Sequence, residues 1–356
     1  MEPVTHFLTG AALSRTGFNR KTALATVTMT LAAEAADIDV LAYFKGSANG
    51  FIQHRGITHT FFAVPVIAAL VVGGVWLVDT SWGRLRARKE PHARLASADV
   101  GGAAPRRRWG LLWVFACIAD LSHLLLDFTN NYGLRPFYPF ARHWHAWDIV
   151  FIFDPLIFAV LLAALALPRL FGLIDREIGV RQRLPRGRGA AIAALLFIVA
   201  LWGMRDVEHR RAVAALEATE FHGERSLHVA AFPYMLNPFQ WAGVAETSEA
   251  YHSMRVDSLH SQADADAAET YYKPQPTETT QAARDTSLGR AYLEWARFPL
   301  VEDEELRASQ PAHLVRFLDV RFLYPESRRR PLVAYVLFDS RLQPVDAGFE
   351  ASRARR

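Results

Sequence analysis

The chain has 356 residues, 51% of them hydrophobic, one cysteine and a formal net charge of +4. A single cysteine excludes a disulfide framework, and the length allows two or three domains. The positive balance comes mainly from arginine clusters between apolar runs, Arg106-Arg107-Arg108 among them, which is the pattern of basic loops beside membrane spans and argues against a nucleic-acid partner.

Met1-Glu2-Pro3 lacks the basic start of a cleavable signal peptide, so none is expected. Residues 5–17 read as a short amphipathic, re-entrant segment. Residues 22–44 read as a weak Ala/Thr-rich span that ends in Glu34, Asp37 and Asp39. Stronger spans are expected over 57–78, 110–128 and 149–173. A shorter one is expected over 189–204, below the roughly 20 residues a crossing usually takes. The fold class that follows is an all-α polytopic membrane domain of five spans over 1–204, with a small soluble α+β domain over 205–356.

Lys/Arg counts orient the spans. Segment 79–109 carries eight and 174–188 five, whereas 45–56 and 129–148 carry two each. The first pair is therefore expected in the cytoplasm, in a multi-pass protein of the inner membrane. The same alternation puts His54, His59, Asp127 and Asp154 near the outer face and makes the C-terminal domain extracytoplasmic.

Ionisable groups in apolar spans are costly and mark function by default. Asp120, His123 and Asp127 stand at i, i+3 and i+7 and share one helical face. His123 and Asp127 are the better ligands, and Asp120 orients a ligand from deeper in the span. In Gln53-His54-Arg55-Gly56-Ile57-Thr58-His59-Thr60, Gly56 permits a tight turn and Thr58 can cap the helix that follows. One histidine on the loop and one on the first turn can reach the same cation, and Arg55 offers a planar fork to a phosphate. Asp37-Ile38-Asp39 reaches one site only where its helix ends. Asp154-Pro155 reads either as a helix N-cap with proline at the first position or as a group of the site. His143-Trp144-His145 lies in an aromatic loop with Phe137, Tyr138, Phe140 and Trp147, which reads as an interfacial belt or, through one of the histidines, as a substrate contact. No phosphate-cradling glycine loop, serine elbow or HExxH is present.

In order along the chain, Thr5-His6, Asp37-Ile38-Asp39, His54 to Thr60, His123-Leu124-Leu125-Leu126-Asp127 and Asn131-Tyr132-Gly133 leading to Pro139-Phe140 resemble the YdjM-like membrane-bound metal-dependent hydrolases. The resemblance covers residues 1–160. It implies a multi-span helical protein with a divalent metal site and hydrolytic activity. It assigns ligand roles to His6, Asp37, Asp39, His54, His59, His123 and Asp127. The layout also resembles, more loosely, the helical zinc-dependent phospholipase C and single-strand nuclease fold. The family motif has proline before its first aspartate, where this chain has Ala36.

Beyond the spans, residues 205–221 read as a helix, segments 226–232, 250–257, 313–324 and 331–338 as strands, and 281–298 as a helix. The reading as a whole is a metal-dependent hydrolase at the outer membrane interface. The imidazole and carboxylate mix suits Zn²⁺, with Mn²⁺ or Fe open, as one or two ions. Arg55, Asp120 and Asp154 are the expected catalytic groups. The expected partner is a membrane lipid, and the expected substrate a phosphoester or lipid-linked one. The alternative is an ion- or proton-coupled transporter, which also uses buried Asp and His. No internal repeat of the transporter kind is visible.

Overall fold

The computed structural model describes residues 1–89, 106–177, 187–221, 223–306, 313–325, 327 and 329–350. Most of the basic segment between the first two long helices, and much of 174–188, lie outside these residues. The described chain divides into two compact units, one of residues 1–38, 57–127 and 153–200, the other of residues 39–56, 128–152 and 201–356.

The first unit is helical. It contains α1 (Pro3–Arg15) and α2 (Ala25–Ala32). Segment 47–53 supplies α3 (Ser47–Gln53) to the second unit. The long helices follow: α4 (Val64–Lys89), α5 (Trp109–Thr129), α6 (Pro155–Glu177) and α7 (Arg188–Glu217). Among the described residues four stretches are long and apolar enough to cross a membrane, Val64–Leu85, Trp109–Thr129, Pro155–Leu173 and Arg188–Glu217. Residues 22–44 do not make one long helix. α2 has only eight residues and is followed by a 3₁₀ segment over Ala35–Lys45, so it falls well short of the roughly 20 residues of a span. The short apolar run at 189–204, by contrast, continues without a break to Glu217.

Small residues let the helices approach. An added Cβ on Gly10 would lie 2.7 Å from Met29 O, so α1 meets the α2 backbone directly. Ala25, Met29, Ala32 and Ala33 pack with Ala68 of α4 and with Leu112, Phe115, Ala116 and Ala119 of α5. In lipid, where apolar surface alone does not hold helices together, close packing of small residues does. On α5 the stripe Leu112, Ala116, Ala119, His123, Asp127 is fully buried, the face expected at about 3.6 residues per turn.

The second unit holds two antiparallel sheets. Strands β3 (His228–Pro233), β4 (Gln240–Glu246), β5 (Ala250–Asp257) and β6 (Gln262–Ala263) form one in that order, with β7 (Glu269–Tyr272) also on β5. The other is the meander β8 (Pro299–Glu305), β9 (His313–Asp319), β10 (Ala334–Phe338), β11 (Pro344–Phe349). A small β1–β2 hairpin (Glu220–Phe221, Glu224–Arg225) precedes them. The helix expected over 281–298 is two, α8 (Glu278–Arg284) and α9 (Ser287–Trp295), because the Thr286 side chain caps a new start by accepting from Gly289 N.

The polar loops at the ends of the spans belong to this unit. Phe51 of α3 packs edge-on to Trp295 at 5.2 Å, and Trp295 Nε1 donates to Tyr132 O at 3.0 Å. The buried Arg321 guanidinium donates to Asn131 O at 3.0 Å, and Arg297 pairs with Asp148 at 2.5 Å.

Candidate metal centre

Four side chains of the first unit converge. Asp37, His59, His123 and Asp127 each offer one ligand atom, and all four atoms lie within 4.8 Å of one another. His59 Nε2 stands 3.1 Å from His123 Nε2, 3.3 Å from Asp37 Oδ1 and 3.5 Å from Asp127 Oδ2. His123 Nε2 stands 3.6 Å from Asp37 Oδ1 and 3.5 Å from Asp127 Oδ2. Tetrahedral bonds of about 2.0–2.2 Å would set donors about 3.3–3.6 Å apart. The spacing therefore fits a single small cation.

Local structure aims each donor. His123 and Asp127 are one turn apart on α5, both fully buried. His123 Nδ1 contacts Ala33 O at 2.8 Å, and a carbonyl can only accept, so the proton is on Nδ1 and the Nε2 lone pair faces the cluster. His59 Nδ1 meets Thr58 Oγ1 at 3.1 Å. His59 ends a 3₁₀ turn, Ile57–His59, not the first turn of a long helix. Helix α4 starts at Val64, and the hydroxyl that accepts near its start is Thr60, from Ala63 N at 3.1 Å. The expected cap at Thr58 is thus replaced by a contact to the His59 ring.

The set combines two carboxylates with two imidazoles. The His123 Nε2, the His59 Nε2 and one oxygen each of Asp37 and Asp127 face one point, while the other Asp127 oxygen takes the Met1 ammonium. Burial works to raise the Asp37 carboxyl, but the His59 contact and nearby His123 outweigh it and hold the group down, to about 2. Buried carboxylates persist when paired or bound to a cation.

The remaining expected residues divide by unit. His6 is fully buried in α1, its ring stacked on His123 at 3.8 Å and its Nε2 3.4 Å from Asp127 Oδ1. The Met1 ammonium contacts the same Asp127 oxygen. Asp120 is buried on the same α5 face, and neither carboxylate oxygen has a hydrogen-bond partner among the described residues. Asp154 accepts from Leu156 N and Ile157 N at 3.0 Å each, as the N-cap of α6, which starts at Pro155 rather than 149.

Asp39, His54 and Arg55 belong to the second unit. Asp39 accepts from Arg55 N at 2.7 Å and lies 3.3 Å from His54 Nδ1. Arg55 is the left-handed residue of this turn, with φ 50°, and not Gly56. Gly56 is required for another reason: a Cβ there would lie 2.7 Å from Gln53 O. The Arg55 guanidinium donates to Gly133 O at 2.7 Å and lies over the Tyr132 ring.

Residues 1–212 match the family model described as YdjM inner membrane protein. The chain belongs to that family. With four apolar helices of spanning length, it is a membrane protein. The uncharacterized protein YfhP of Bacillus subtilis (strain 168) is 27% identical over 175 residues, 47% of this chain and 46% of that protein. The match thus spans just under half the length of this relative. No solved structure matches the chain.

Sequence reasoning did not find the groups that aim the ligands. Ala33 acts through its carbonyl, which leaves no trace in residue type. Gly10 was visible as a small residue opposite an alanine-rich stretch, and its close approach to Met29 is what such pairing allows.

Proposed function

We propose that this protein is a membrane-embedded, metal-dependent hydrolase acting on a phosphoester or lipid-linked substrate. The observation that carries the reading is the compact set of two imidazole nitrogens and two carboxylate oxygens, spaced 3.1–3.6 Å across the five measured pairs. That mix of ligands suits Zn²⁺, with Mn²⁺ and Fe as the other candidates. A divalent ion held there that took a water as a fifth ligand beside the four side chains would acidify it towards a pKa of about 7 and polarise a phosphoryl oxygen.

Asp37, His59, His123 and Asp127 are the proposed ligands. Ala33 and Thr58 hold the two imidazoles in their ligand orientation. His6, stacked on His123, fixes that ring and is placed to join the set through Nε2. Asp120, on the same helical face, is the proposed proton-transfer group, because its carboxylate oxygens are not committed to any described partner. Asp154 serves as the cap of α6. Arg55 and the Asp39–His54 pair shape the turn that leads into His59.

The basic segments point to the cytoplasm in this reading, and the C-terminal domain to the other side. The test is direct. The full chain, purified in detergent and loaded with Zn²⁺ or Mn²⁺, is assayed with bis-p-nitrophenyl phosphate and with phospholipid. Turnover that disappears in Asp120→Asn while metal content is kept supports the reading. Stoichiometric metal without turnover on either class sinks the hydrolase, and metal- or proton-coupled flux in proteoliposomes would then place the cluster in a transporter.

A further inference from the structure

The geometry points to a second binding site, in loop 135–144 of the second unit, for the phosphate of a membrane-lipid headgroup. It is independent of hydrolysis at the metal centre and is tested by binding alone.

The loop is built rather than slack. Leu134 and His145 exchange both backbone hydrogen bonds at 2.9 Å, which closes its base. Tyr138 N donates to Arg135 O at 3.2 Å, and Phe140 N donates to Phe137 O at 3.0 Å, within the loop itself. By chain connection the loop joins α5 to α6, two helices of spanning length, so it lies at a face of the membrane.

Two buried donors in it have no acceptor among the described residues. Arg135 is 8% exposed, and its Nε is buried with no acceptor among the described residues. Its guanidinium lies 4.7 Å from the Tyr138 ring centroid and 4.6 Å from that of Trp144. Trp144 Nε1 is likewise buried without an acceptor. The rings stabilise the charge but cannot accept in-plane N–H groups. The neighbouring cation, Arg142, is already paired with Glu294 at 3.0 Å. Buried donors without partners carry a desolvation cost, and an oxyanion that takes both removes it. The planar fork of arginine matches phosphate oxygens.

The surroundings select a lipid. Phe140 is 81% exposed and Phe137 45% exposed, on the same loop as the cation. Aromatic rings at the depth of the headgroups anchor in the interface, and arginine beside them reads as headgroup recognition. A free phosphate would gain nothing from those rings.

The test uses the full chain in dodecyl maltoside, titrated by calorimetry with dioctanoyl phosphatidylglycerol, dioctanoylglycerol and inorganic phosphate. Saturable binding of the phospholipid is expected, with none of the phosphate-free diacylglycerol and much weaker binding of inorganic phosphate. Arg135→Gln should weaken the phospholipid at least tenfold, and Arg142→Gln should leave it within twofold. Trp144→Phe keeps the ring, deletes one donor and should cost several-fold, which preserves the test should Arg135→Gln fail to fold. Unchanged affinity in both Arg135→Gln and Trp144→Phe overturns the site. Equal losses for Arg135→Gln and Arg142→Gln would reduce it to diffuse charge, and inorganic phosphate binding as tightly as the lipid would make it a free-anion site. Each of those two outcomes also overturns the proposal.

Discussion

His59 and His123 face each other Nε2 to Nε2 at 3.1 Å, from a 3₁₀ turn and from the middle of a long apolar helix. Ala33 O accepts from His123 Nδ1, and this contact with the two carboxylates around it makes a group that could hold a metal ion. Each of His59→Ala, His123→Ala and Asp37→Asn should therefore lower bound metal in the purified protein to a small fraction of the parent value by elemental analysis. His260→Ala, an exposed histidine that pairs with Asp257, should retain full metal. Parent-level metal in all three ligand variants would overturn the ligand set.

Much of this was legible in the sequence, and the reason is chemical. Asp120, His123 and Asp127 stand in an apolar span where ionisable groups are too costly to be incidental, so their spacing alone placed them on one face. The strands expected at 250–257 and 331–338 were legible from β-favouring residues, and β10, which forms over the last five residues of the second segment, is buried at every second position. What stayed hidden depends on backbone. Nothing in the composition of residues 22–44 says that the chain turns after Ala32, or that Ala33 then presents its carbonyl to His123. The division between Asp37 and Asp39, two residues apart but in different units, follows from packing of Phe51 and its neighbours on Tyr292 and Trp295.

That packing gives a prediction about the second unit. Phe51 is 5% exposed among Tyr292, Trp295 and Phe349. Phe51→Ala should destabilise the unit by about 3–5 kcal/mol, the usual cost of deleting a buried aromatic ring. Denaturant unfolding followed by tryptophan fluorescence reads it, since Trp295 is in direct contact. A change below about 1 kcal/mol, inside the range of an ordinary surface substitution, would mean that α3 is not anchored there.

Orientation is open to a separate test. Reporter fusions at Ala98, in the basic segment, and after Arg356 should give opposite signals for cytoplasmic and extracytoplasmic placement. Matching signals would overturn the arrangement drawn from the lysine and arginine counts.

Gly10 separates packing from coordination. Its added Cβ would stand 2.7 Å from Met29 O and 2.8 Å from Ala33 Cβ. Gly10→Ala should push α1 off α2 at a cost of about 1–3 kcal/mol. It should also weaken metal binding, because Ala33 O is what holds His123. Gly73 has nothing within 4 Å of its added Cβ, and Gly73→Ala should change neither property.

Asp127→Asn decides whether the buried carboxylate is a ligand or a tolerated charge. Asp127 is fully buried and within 3.5 Å of His59, His123 and His6 nitrogens. The substitution keeps the shape and removes the charge. Because the buried Met1 ammonium also pairs with Asp127, neutralising the carboxylate lowers stability whether or not it binds metal, so the response to chelator is what decides. As a ligand, its loss removes the stabilisation that bound metal supplies, about 2.7 kcal/mol with free metal at 100 times the dissociation constant. The parent should therefore melt at a lower temperature once a chelator is added. The variant should melt at one temperature, no higher than that of the chelated parent, with or without chelator. A variant that still responds to chelator like the parent would remove Asp127 from the metal centre.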